Sequence, residues 1–495
     1  MKPVAIALAV TTALGTATSA RALTIATIGA NFTGTTRSQS GFIPPDTMGA
    51  AGPNHIVELI NGTYAVYNKS GALQGSRVSL NQFWQSAGVT PAGSFAFDPR
   101  ILYDPFSQRW FAAAVDNSGG NNNFLVGVSN SSNPLSGWKA FSIDSNTANT
   151  RWADFPALGI NGDKVTIAAN MFPITGQGAT TATTTILTID KNSLITTPVG
   201  QLSNLSRTLF QNNDPNNTGF AVQPVVDADN RAGEHFLWSD FNTPAGFFKR
   251  SSITGNAATA TLNTTGGVNG GFLDLTAYNN PPLAQQLGGP NNVNTSDARF
   301  GSNVIYQLDA FGNNSFWGVQ TVNNGGRAAL RWFEIDANTN LLRQEGLIAN
   351  ANEDYYFGSI AVNNNRQVVI GFSCSSDTLF ISSCAVTSQN LGGLTNSLTT
   401  FGARQILRQG TASYQVLDTS GRNRWGDYSA TVLDPSDPTG STFWTFQEIA
   451  TGSTQWSVQI TELQLSTPSV PEPGSVAGLV TIGSIAFALK RPGKK

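Results

Sequence analysis

Asp98-Pro99-Arg100-Ile101-Leu102-Tyr103-Asp104, followed after a short turn by Trp110-Phe111-Ala112-Ala113-Ala114-Val115, is the stretch that decides the fold. Two runs this short, bounded by turn residues, read as neighbouring strands. The same phrase recurs along the chain, which marks an internal repeat. It appears as Asp46–Gly52 before His55–Ile60, Asp154–Asn161 before Val165–Ala169, and Gln223–Asp227 before His235–Phe241. Further copies are Arg299–Tyr306 before Phe316–Val322, Tyr356–Asn363 before Gln367–Phe372, and Asp427–Asp434 before Phe443–Ile449. Each pair is followed by more strand-like runs, such as Leu125–Ser129 and Lys139–Ile143.

Four strands in roughly 50 to 75 residues is how a β-propeller blade reads. The expected fold is therefore an all-β propeller over residues 23–465, with seven blades from seven copies. Six is the alternative, because the third and fourth copies are diffuse around Gly200–Gly270. A four-stranded sheet cannot bury both faces alone, whereas neighbours stacked in a ring bury them. Trp110, Phe236, Phe316 and Trp444, at or near the starts of second strands, then pack between blades. The N-terminal strand Leu23–Ile28 is expected to pair into the last blade and close the ring. A long array of β-sandwiches is the competing architecture.

Composition narrows the function. Charged residues make up 12% of the chain, about half the usual share, and 28 Lys and Arg face 30 Asp and Glu. That leaves no broad basic surface for nucleic acid. Two His and two Cys exclude a multi-histidine zinc centre, a four-cysteine zinc site and a cysteine-ligated iron–sulfur cluster. No Gly-x-Ser-x-Gly elbow, phosphate-binding loop or His-Glu-x-x-His helix occurs. Cys374 and Cys384 flank a hairpin turn and are expected to form one disulfide in an oxidising compartment.

Both ends read as addresses. Residues 1–22 form a positive start, an apolar stretch and the small-x-small Ala20-Arg21-Ala22, a signal peptide for signal peptidase. Residues 466–475 form a linker containing Val470-Pro471-Glu472-Pro473, residues 476–489 a short apolar membrane segment, and residues 490–495 a basic tail. This order of motif, apolar run and basic tail resembles the PEP-CTERM sorting signal. The resemblance implies an exosortase partner, contact with the membrane through the C-terminal segment before processing, and a Gram-negative-type bacterium that makes exopolysaccharide. It places the mature protein at the cell surface or in the extracellular matrix. In the body, Pro44–His55, Asp98–Asp104 and Arg424-Trp425-Gly426-Asp427-Tyr428-Ser429 resemble phrases of secreted bacterial propeller-like proteins, a likeness that transfers no catalytic residues.

Aligning the copies puts Asp46, Asp98, Asp154, Gln223, Arg299, Tyr356 and Asp427 at equivalent places, the expected channel mouth and ligand-binding site. Converging carboxylates repel unless a cation sits among them, and oxygen ligands suit Ca²⁺. Alternatively each Asp caps its own turn. No catalytic or metal residues are assigned and no cofactor is expected. His55 and His235, at second-strand starts, read as packing residues. The functional expectation is a surface or matrix propeller that binds or scaffolds, associated with exopolysaccharide. The alternatives are a sialidase-like carbohydrate enzyme using Arg100, Arg299 or Arg424, or a purely structural surface protein.

Overall fold

Each copy of the phrase folds into an inner strand and its antiparallel neighbour, and in five copies the turn between them has one cause. The acid or amide that ends the inner strand accepts a hydrogen bond from the backbone N–H two residues on. Phe106 donates to Asp104 (3.1 Å), Asp163 to Asn161 (3.2 Å) and Asp229 to Asp227 (2.9 Å). Asn365 donates to Asn363 (3.0 Å) and Ser436 to Asp434 (2.9 Å). The computed structural model describes residues 25–93, 95–240, 247–265, 271–389 and 398–466.

The inner strands follow one another around a channel. They are Gly49–Ala51, Ala96–Asp104, Arg151–Ile160, Phe220–Pro224, Ile305–Leu308, Asp354–Val362 and Ala430–Leu433, and the last lies against the first. The ring closes through Ile25–Thr36, which pairs with Gln455–Ser466, for example Phe32 with Ile460. Buried Glu58 ties this closing strand to the first copy by accepting from the Thr35 N–H at 3.0 Å. Leu23 lies outside the described residues.

Sheet organisation corrects the expected blade number. Five separate sheets of four or five strands are blades, from the first, second, fourth, sixth and seventh copies. The strands of the third and fifth copies run on into a single nine-stranded sheet. The two-residue strand Val226–Asp227 joins them, paired in parallel with Ile160 on one side and Ile305 on the other. Ile160 N–H donates to Val225 O (3.0 Å) and Val226 N–H to Val304 O (2.9 Å). Gly159 permits this approach, since a Cβ there would lie 2.4 Å from the Pro224 carbonyl oxygen. Turns alone predict separate blades, and this side-by-side pairing of neighbouring inner strands is why seven separate blades do not form.

Packing between sheets follows the aromatic reading. Trp110, Phe316 and Trp444 are buried. Trp110 faces Gly52 of the first copy, where a Cβ would sit 2.4 Å from the indole. Half-buried Phe236 meets Phe316 of the fifth copy edge-on at 5.1 Å. Cys374 and Cys384 form the expected disulfide between adjacent strands. Among the described residues no helix is long and apolar enough to cross a membrane. The signal peptide lies outside the described residues, and so do the linker expected at 466–475 beyond its first residue and the membrane and tail segments expected at 476–495.

Candidate functional site

The inner strands bulge where they enter the channel. Asp98, Phe155, Ala221 and Phe357 have φ of 51°, 53°, 48° and 51°, a left-handed conformation that non-glycine residues rarely adopt. Each bulge turns its N–H to a side chain of the preceding copy. Asp98 donates to Asn61 Oδ1 (2.8 Å), Phe155 to Asp98 Oδ2 (3.0 Å), Ala221 to Asn170 Oδ1 (2.8 Å) and Phe357 to Thr321 Oγ1 (3.2 Å). The strain is thus tied to bonds that fix one sheet against the next.

These bulges revise the sequence alignment. Asp98 is equivalent to Phe155, Ala221 and Phe357, not to Asp154, Gln223 and Tyr356. Tyr356 is fully buried, with its hydroxyl 3.0 Å from Ser375 Oγ. Gln223 is buried and donates to Phe300 O (2.9 Å). Neither stands at the mouth. Turn capping, expected of the first acid in each copy, is done by the acid or amide that ends the inner strand.

The remaining candidates gather at one end of the channel in two layers. In the deeper layer, buried Asp46 accepts from Asn61 Nδ2 (2.6 Å) and from the Asp427 N–H (3.1 Å). Asp98 accepts from Phe155 N–H and from the Tyr428 hydroxyl (3.2 Å). Burial lifts the Asp46 carboxyl well above its ordinary range, and the charges of Asp98 and Asp427 add to the lift. Burial also raises Asp98, with Asp427 next in effect. Glu448, bonded by the Thr47 hydroxyl (2.7 Å), is pushed up to about 8 by burial.

One guanidinium holds this layer together. Arg100, 1% exposed, donates from Nε to Pro156 O (2.7 Å) and from Nη1 to Gly301 O (3.2 Å). It stacks on the Tyr428 ring with Cζ 3.5 Å from the centroid, and Nη1 lies 3.6 Å from Met48 Sδ. A side chain of the second copy therefore reaches strands of the first and third, the segment before the fifth copy's inner strand, and the Tyr428 segment of the seventh. Its positive charge acts on Asp98 and Asp46, and so does that of Arg424 in the outer layer. Among the described residues no group of three or more His, Cys, Asp or Glu is placed to hold a metal ion.

The outer layer is partly exposed. Arg299 grips Asp297 through two bonds of 2.7 Å, and Arg424 grips Asp427 at 3.1 and 2.7 Å. Burial alone would lower both arginines, but these paired carboxylates hold them above their ordinary values. Asp154 faces Asp98 and Asp427, and burial together with those two charges brings it up to about 7. The pocket lined by Ser296, Asp297, Arg299, Gln320, Phe357 and Asp427 is about 10 Å³, room for a single water.

Both histidines are packing residues. His235 is buried between Thr166 Oγ1 and Val225 O, each at 2.9 Å, and burial lowers it to about 4, which keeps it neutral. His55 is half-buried, and burial also lowers its pKa. Asn61, Tyr428 and Glu448 complete the site; Tyr428 stands in the Arg424–Ser429 phrase, while nothing in the sequence marks Asn61 or Glu448.

The ring of sheets about a closed channel defines an all-β propeller protein. No family model matches the chain, and no curated protein matches it. Several solved structures align with it at low similarity. A Trypanosoma rangeli sialidase bound to 2,3-difluorosialic acid is 10% identical with a TM-score of 0.31, over 81% of this chain and 56% of that one. An endo-arabinase from Bacteroides thetaiotaomicron is 12% identical with a TM-score of 0.32, over 61% and 96%. The Dos1 propeller is 8% identical with a TM-score of 0.38, over 83% and 75%. The chain thus spans little more than half of the sialidase. With TM-scores below 0.5 the likeness carries no argument, and no site residue is carried over from it.

Proposed function

We propose that this propeller binds a neutral, hydroxyl-rich polysaccharide across its acidic mouth and does not turn it over. The observation that carries the reading is the pairing of the mouth arginines. Arg299 and Arg424 are each committed to a neighbouring carboxylate, and Arg100 is buried against backbone carbonyls. Their pairing with protein carboxylates and carbonyls opposes the grip on a sugar carboxylate that a sialidase-like site needs. Paired planar charges with half-buried Asp154 instead offer alternating donors and acceptors, as hydroxyl groups require. The pocket beside Arg299 has room for one water and none for an enclosed sugar ring, which fits a polymer lying across the mouth better than a sugar held for hydrolysis.

A carbohydrate enzyme is the second reading, favoured by Asp154 alone, whose carboxyl near 7 has the proton affinity of a general acid. A glycan array and a chromogenic glycoside panel on the 23–469 fragment separate the two. Binding to neutral glycans without turnover supports the scaffold, and turnover lost in Asp154→Asn supports the enzyme.

Export and sorting complete the proposal. The N-terminal 22 residues direct secretion, and the Val470–Pro473 motif with the apolar and basic segments hands the chain to an exosortase for delivery to the surface or matrix. Replacing Pro471, Glu472 and Pro473 by alanine is expected to leave signal-peptide cleavage intact and retain the protein in the inner membrane. Release equal to the parent's would remove the sorting reading.

A further inference from the structure

The other end of the channel has a different chemistry. Where the inner strands finish they surround a cavity of about 420 Å³, with walls from Leu102, Ile160, Val226, Ile305, Val362 and Leu433. The three carboxylates at its rim are already matched by cations. Lys191 pairs with Asp104 (3.1 Å), Arg231 with Asp227 (2.7 Å) and Lys69 with Asp434 (2.7 Å). The rim therefore offers no uncompensated charge for an ionic ligand. Phe106, on the turn after Ala96–Asp104, stands at the rim and is 53% exposed.

Two features make this a cup and not a gap between blades. The Arg100 layer lies across the channel between the cup and the acidic mouth, so the two ends are separate sites. On one side the wall is knit shut by the parallel pairs Ile160–Val226 and Val226–Ile305. A concave site of this volume, mostly apolar with a few fixed polar groups at its edge, has the usual character of a small-molecule pocket.

We propose that this cup is a second binding site, for an uncharged and mostly apolar small molecule or ligand group, such as an aromatic ring or short alkyl chain. It is independent of the acidic mouth, and its ligand enters past Phe106. Burying an apolar group here needs no new charge pairing, because the rim carboxylates keep their cations.

The test uses the neutral fluorescent probe N-phenyl-1-naphthylamine with the 23–469 fragment, whose ring closes within residues 25–466. Saturable binding of one probe per chain is expected. Phe106→Ala, at an exposed position, is expected to weaken it at least fivefold. Ala228→Trp, at a half-buried rim position, is expected to block the cup and weaken it at least tenfold, with the melting temperature and glycan binding of both variants unchanged. Absence of saturable binding overturns the proposal. So does binding that both variants leave intact, since the probe would then sit elsewhere on the surface.

Discussion

Glu448→Gln tests the electrostatics of the buried layer with minimal change of shape. The side chain is 4% exposed; its Oε1 accepts from Thr47, and Oε2 has no partner. Glutamine keeps the accepting oxygen, and its amide takes the place of the protonated oxygen. The carboxyl's ordinary value is 4.5, and in the folded protein it is raised to about 8, chiefly by burial. Between those values the folded state holds a proton that the unfolded chain has released. The parent's stability is therefore undiminished below pH 4.5 and falls as pH rises towards 8, by about 1.4 kcal/mol per unit. Glutamine does not titrate, so this part of the fall vanishes. Relative to the parent, the variant is expected to gain about 3 kcal/mol between pH 4.5 and pH 7. Urea unfolding followed by tryptophan fluorescence at both pH values measures it, and subtraction cancels the other acids. A parent-to-variant difference that is the same at both pH values, to within about 1 kcal/mol, would refute a neutral buried Glu448.

Arg100→Met removes two charge-assisted bonds, to Pro156 O and Gly301 O, and the cation among Asp46 and Asp98. Relief of a buried charge offsets part of the loss, and a net destabilisation of about 3 kcal/mol at pH 7 is expected in urea; a loss under about 1 kcal/mol would show that Arg100 is not the hub. Replacing Cys374 and Cys384 together by serine opens a link ten residues apart in sequence, and about 2–3 kcal/mol should be lost. A double variant as stable as the oxidised parent contradicts that. Asp154→Asn removes a carboxyl raised to about 7, so the variant should gain stability over the parent as pH rises from 4 to 7, and a thermal melt series reads the sign directly.

Much of the architecture is legible in the sequence because its cause is local. Asp104, Asn161, Asp227, Asn363 and Asp434 form their turns with residues two positions away, so the repeat shows in the chain itself. The bulges are not local. Phe155 and Phe357 take the left-handed conformation because Asp98 and Thr321 of other copies hold their N–H groups, and no spacing within a copy announces that. Alignment by the first acid therefore misplaces Asp154, Gln223 and Tyr356. The join at Val226 rests on Gly159 lying under Pro224, a contact between copies that turn signals cannot encode. Arg100 carries a signal as the one basic residue of the strand Ala96–Asp104, but its partners are backbone carbonyls, which leave no trace in side-chain identity.

The central claim is that the acidic mouth binds a neutral polysaccharide without hydrolysing it. Titration calorimetry of the 23–469 fragment against neutral and uronic-acid polysaccharides, with reducing ends assayed in the same samples, tests it most directly. Saturable binding of a neutral polymer, no release of reducing ends, and at least tenfold weaker binding in the Asp154→Ala, Asp427→Ala double variant are expected. Preference for the acidic polymers, binding indifferent to both substitutions, or release of reducing ends would contradict it.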